Sequence, residues 1–198
     1  MFQIDSNLER YWIGVIMMGD VQNLDVIRDW EHLSRTNETS ERDDVTSDEL
    51  DSVGRTFVQN VRDLVEQELY VVATDARKAA DIFWEINQEV RESGVAGEQG
   101  YFGTRVRVLN KSIAATWHKN RFVPGPGDKK KVFSTHLEKG LGPRYPTKTF
   151  KGARDWELEA IQVTEDRYSL LRQRSNALSK IRRALSEYER LLDKCYQE

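Results

Sequence analysis

Apolar residues return every three or four positions from Leu50 to Val90, with no proline to interrupt them. The series Leu50, Val53, Phe57, Val61, Leu64 and Val65, then Leu69, Val72, Ala76, Ala79, Phe83, Ile86 and Val90, keeps one stripe on one side of an α-helix. A helix of that length cannot leave its stripe in water, so a second element has to cover it. Thr46 or Ser47 ahead of Asp48-Glu49 supplies an N-cap and acids suited to the helix dipole, and Ser93-Gly94 supplies a stop. This predicts a helix over 47–93. Trp156, Ile161, Thr164, Tyr168, Leu171, Leu178, Ile181, Leu185, Tyr188, Leu192 and Cys195 form a second series, with Ser175 as a polar interruption, and predict a helix over 154–196. Packing the two antiparallel, as a coiled-coil-like hairpin, buries both stripes; stripes this long can also close across a homodimer.

Between the helices the period changes to two. Tyr101–Leu109 alternates Arg105 and Arg107 with Val106 and Val108, and Ser112–Val123 is rich in β-branched and aromatic residues. Pro124-Gly-Pro-Gly-Asp-Lys129 reads as a turn, after which Lys130–Leu137 returns as a third strand. Gly140–Pro146 breaks regular structure again. The fold class is therefore α+β: a long helical hairpin with an inserted antiparallel β-meander, about 101–151, all within a unit spanning 47–198. Residues 1–46 are expected to supply a linker and a short N-terminal helical segment packed on the shaft of the hairpin. Spacing over 5–33 fits one or two short amphipathic helices, and 34–46 is a solvated linker.

Charge is the second constraint. The net charge of −3 conceals 9 Lys+Arg against 22 Asp+Glu in residues 1–100, and 21 against 11 in residues 101–198. Residues 101–151 alone hold 12 cations and two acids, Asp128 and Glu138, whereas 152–198 is balanced at nine against nine. Surplus positive charge confined to one block points to a polyanionic partner, provided the cations gather into one surface patch. Seven aromatics interleave with them: Tyr101, Phe102, Trp117, Phe122, Phe133, Tyr145 and Phe150. Cations displace counterions from phosphates, arginine forks read base edges, and exposed aromatic faces stack unpaired bases. The aromatics, Trp117 and Phe133 among them, are expected mainly in the core. The Lys129-Lys130-Lys131 run reads equally as a phosphate-touching hairpin tip and as a solubilising turn. Arg172, Arg174, Lys180 and Arg182-Arg183 form a second basic stretch, explained by pairing along the helix surface with Glu187 and Glu189.

Enzyme signals are weak. His32, His118 and His136 are isolated in sequence and show no metal-ligand spacing, and no Gly-rich phosphate loop is present. The acids Asp155, Glu157, Glu159, Glu165 and Asp166 could be imagined as a nuclease site, but acids early in a helix usually serve its dipole and solubility. Tyr145 as a strand-cleaving nucleophile would lack a histidine pair to hold a metal. No enzyme, cofactor or metal is expected. The longest apolar run, Tyr11–Met18, is too short to span a bilayer and lacks the flanks of a signal peptide, and the single Cys195 fits a reducing cytoplasm.

The blocks Trp117-His-Lys-Asn-Arg-Phe-Val123, Phe133-Ser-Thr-His-Leu-Glu-Lys-Gly140, Arg144-Tyr-Pro146 and Asp155-Trp-Glu-Leu158 resemble the MobI family of conjugative-transfer auxiliary proteins. The helix from Glu165-Asp-Arg-Tyr168 through Lys180–Leu185 continues the likeness, which covers roughly residues 101–190. The resemblance implies a factor of a mobile element that acts at the origin of transfer and assists a relaxase without nicking DNA itself. On this reading Arg105, Arg107, Lys111, Lys119, Arg121, Lys129, Lys130, Lys131, Arg144 and Lys148 contact duplex DNA, and the acidic helix faces away towards a protein partner or second copy. The competing expectation is a protein-interaction inhibitor of phage or element origin, acting through that acidic face.

Overall fold

A computed structural model describes residues 46–95, 97–124 and 130–196, together with the backbone but not the side chain of Lys130. The expected N-terminal helices and linker, and the Gly-Pro-Gly-Asp-Lys turn, lie outside the described residues. The chain divides into a unit ending at Thr46 and a unit from Ser47 onward, and the second is described here.

Helix α1 spans Ser47–Glu92 and helix α2 spans Asp155–Tyr196. Between them lie β1 (Phe102–Leu109), β2 (Ser112–Pro124), β3 (Lys130–His136) and a 3-10 turn, Thr147–Phe150. Each helix and strand predicted within 47–198 is present within a residue or two of its expected bounds. Helix α1 opens on Asp48 and Glu49, and Gly94, at φ 67°, ends it in the left-handed conformation that glycine adopts without strain. None of the helices is long and apolar enough to cross a membrane among the described residues.

The two helices run antiparallel, since contacts advance along α1 as they recede along α2. Arg55 pairs with Asp193 at 3.0 Å, Arg62 with Glu189 at 2.8 Å, Glu68 with Arg174, and Asp75 with Arg167. Within the basic stretch on α2, Arg174 finds its carboxylates, Glu68 and Asp75, on the facing helix and not along its own surface. Exposed pairs of this kind add little stability, and their value is to favour one register. At Gly54 the helices approach so closely that a Cβ would lie 2.8 Å from Leu192 Cδ2.

The sheet is a meander of order β1-β2-β3, antiparallel throughout. Asn110 and Lys111, at φ 50° and 56°, make the two-residue turn between β1 and β2, whose hand matches the twist of the strands. One sheet face covers the half of the hairpin nearest the connection. Trp117, fully buried, meets Phe83 at 5.0 Å, Phe150 at 5.4 Å and Tyr168 at 5.9 Å between ring centroids. The other half of the hairpin is a bare two-helix arm held by Val58, Leu185 and Leu192. There the predicted stripe is only partly covered: Leu50, Val53, Phe57, Ile181 and Tyr188 remain exposed.

Polar residues lock the sheet to α2. Glu157 accepts the Phe102 amide N–H at 2.6 Å, and Ser175 Oγ accepts that of Ile113 at 3.1 Å. Glu165 accepts Trp117 Nε1–H at 2.7 Å, the Tyr145 amide at 2.8 Å and Arg172 Nη1–H at 2.6 Å. Two sequence expectations are corrected here. Glu157 and Glu165 are not dipole or solubility residues, and Arg172 is not a surface cation; all three are buried. Burial drives the Glu157 carboxyl above its usual range, against the lowering effect of the amides it accepts from. Tyr145 is also a core residue, with its hydroxyl donating to the Leu137 carbonyl.

Candidate nucleic-acid interface

Strand alternation sends successive side chains to opposite sides, so the predicted cations divide between two faces. On β1, Phe102 and Thr104 point to the helices, which turns Arg105 and Arg107 outward. Register sets Arg105 opposite Thr116, Arg107 opposite Ala114, and Gly103 opposite His118. These small partners leave a shallow trough of about 440 Å³ lined by Arg105, Arg107, Leu109, Ala114, Thr116, His118, Ser134 and His136. No carboxylate lines it, and neither arginine makes an ion pair with a described residue.

His118 and His136, isolated in sequence, are direct cross-strand partners. Burial lowers the His118 pKa, and the charge of Arg105 and the nearness of His136 lower it further, so at neutral pH the ring is an uncharged hydrogen-bonding group. No group of three or more His, Cys, Asp or Glu suited to a metal ion occurs among the described residues.

The remaining cations fare differently. Lys119, Arg121 and Lys131 belong to register positions on the face opposite Arg105, where β2 and β3 run on past the core. Lys119 Nζ sits 5.2 Å over the Phe102 ring and donates to the Lys151 carbonyl at 3.1 Å. The Arg121 guanidinium lies 6.0 Å from the Phe133 ring. Phe133 itself is 52% exposed, which corrects the expectation that it joins the core. Lys111 pairs with Glu66 at 2.7 Å and Arg144 with Asp166, so two predicted contacts are already tied to carboxylates. Lys148 is exposed on the 3-10 turn, Lys129 lies outside the described residues, and so does the side chain of Lys130. The single patch expected from composition is thus two smaller basic surfaces back to back, because side chains two apart share a face and neighbours do not.

Sequence reasoning missed the buried Glu165–Arg172 pair that holds the sheet in place. A signal for it exists: Glu157, Ile161, Glu165, Tyr168, Arg172 and Ser175 step by three and four, so the charged members fall in phase with the apolar stripe.

A family model described as MobI protein matches residues 72–186, from the middle of α1 through the sheet and most of α2. No curated protein and no solved structure matches the chain.

Proposed function

Since this chain belongs to the MobI family, we propose that it is a DNA-binding auxiliary factor of conjugative transfer, which docks on duplex DNA at the origin of transfer and helps a relaxase to load. A part in mobilisation follows from the family. The finer reading rests on one observation: the outer sheet face presents Arg105 and Arg107 over small neighbours, with no carboxylate among the residues that line it. Two residues apart on a strand, the guanidinium stems stand roughly 6.7 Å from one another. A sheet face of this kind can enter a major groove about 12 Å wide, where arginine forks reach guanine edges or flanking phosphates. His118 and His136 add hydrogen-bonding ring nitrogens to the same surface.

This reading gives the chain no cleavage of its own. Glu165 and Tyr145, which a strand-cutting reading would need, are buried and engaged with Trp117, Arg172 and the Leu137 carbonyl. The alternative, an inhibitor acting through the acidic face of α1, is less favoured because Glu66, Glu68 and Asp75 are already paired with Lys111, Arg174 and Arg167.

Fluorescence anisotropy with origin duplex across a salt series tests the proposal. Affinity should fall with salt at a log–log slope of about −0.9 per phosphate neutralised. Arg105→Gln with Arg107→Gln should weaken duplex binding at least ten-fold if both reach bases, or flatten the slope by about 2 if both meet phosphates. Unchanged affinity and slope in the double variant would remove the outer face from the interface.

A further inference from the structure

The second basic surface has a composition that the first lacks. Where β2 and β3 overrun the core, Lys119, Arg121, Phe133 and Thr135 face a hollow of about 930 Å³, closed on its other side by Tyr101 and Gly152. Aromatic rings are open here, unlike those of the core. Phe133 leaves about half of its surface to solvent at 52%, and Tyr101 is partly open beneath the Arg154 guanidinium, 5.5 Å away. No Asp or Glu lines the hollow. Lys119 donates only to a backbone carbonyl, and Arg121 has no described carboxylate partner.

We propose that this hollow binds the unpaired bases of single-stranded DNA. Two separable interactions recommend that ligand. Lys119 and Arg121 attract the phosphates. Phe133 and Tyr101 offer ring faces on which bases stack irrespective of sequence, as in other single-strand grooves that combine cations with aromatic platforms. A duplex keeps its bases stacked on each other and could use only the cations, whereas an acidic peptide could use only the charge. Flexible chains also fit the shape, since the hollow is a concavity and not a flat face. The proposal rests on the DNA reading above and deepens it. The outer face takes duplex while the opposite face takes a displaced strand, so the sheet would sit at a junction between paired and unpaired DNA.

The test compares a labelled oligothymidylate of about 20 nucleotides with a duplex of the same length on the full chain, at roughly 50 mM salt. Phe133→Ala should cost about ten-fold on the oligothymidylate and nothing on the duplex, while Phe133→Trp retains binding. Arg105→Gln with Arg107→Gln should do the reverse. Because Phe133 is half exposed, intact duplex binding also certifies that the alanine variant is folded. Equal losses on both ligands, or none on the oligothymidylate, would overturn the proposal. So would poly-glutamate displacing the oligothymidylate as well as an unlabelled copy does. Duplex binding without oligothymidylate binding sinks this inference alone, and failure of both ligands sinks the DNA reading with it.

Discussion

Arg172→Met is the substitution that most directly probes how the sheet is held. Arg172 and Glu165 are 7% and 2% exposed at their side chains, and the guanidinium makes four contacts at once. Nη1 donates to Glu165 Oε1 at 2.6 Å and to the Pro143 carbonyl at 2.7 Å; Nη2 donates to the Ala115 carbonyl at 2.7 Å and to Glu165 Oε2 at 3.3 Å. Tyr145 and Tyr168 flank it at 5.3 and 5.4 Å. Methionine fills much of the space but leaves Glu165 as a buried carboxylate without a cation, and the buried Ala115 carbonyl and the Pro143 carbonyl without that donor. Removing one partner from a buried pair costs about 3–5 kcal/mol. For a unit of this size each kcal/mol lowers the melting temperature by about 2–4 °C, so a fall of roughly 6–20 °C is expected. Thermal and urea unfolding followed by circular dichroism and by tryptophan fluorescence would measure it, with Trp117 reporting on the same site. Adding Glu165→Gln to Arg172→Met should restore part of the loss, because the amide oxygen can still accept a hydrogen bond and no buried charge is stranded. A single-variant cost below about 1 kcal/mol, or strictly additive losses in the double variant, would refute the buried-pair argument.

Two further predictions concern titration. The Glu157 carboxyl has a folded pKa above its unfolded value, so the folded state holds a proton that the unfolded state releases; the contribution of this group to stability is fully present at low pH and declines as pH rises from about 4.5 through the folded value. Glu157→Gln should flatten that decline in urea titrations across this window, and an unchanged slope would mean that the carboxyl is not held neutral. Arg105 is one cause of the depressed His118 pKa, so Arg105→Gln should move the His118 midpoint upward in an NMR titration while leaving it below the usual imidazole range, since burial is the larger cause. No movement would place Arg105 too far from the ring to share a binding surface with it.

The elements of this protein were legible because each rests on a local pattern. Steps of three and four without proline select a helix whatever lies beside it, and alternation between Leu109 and Tyr101 selects a strand. Their bounds came from Ser93-Gly94 and from the breaks around Gly140 and Pro143, which are properties of the chain itself. The positive block at 101–151 was equally plain, because charge is counted residue by residue.

What could not be read was the destination of each charge. Composition treats Arg105 and Arg121 as members of one patch, yet alternation along paired strands places them on opposite sides of the sheet. Lys111 and Arg144 looked like free cations until the fold carried Glu66 and Asp166 to them. Glu165 and Arg172 looked like surface residues until Trp117, 48 positions from Glu165, closed over the pair. Helices and strands follow from interactions between near neighbours, which the order of residues states outright. Whether a charge is free, paired or buried depends on groups remote in sequence, and only the packing of sheet against hairpin brings those groups within reach.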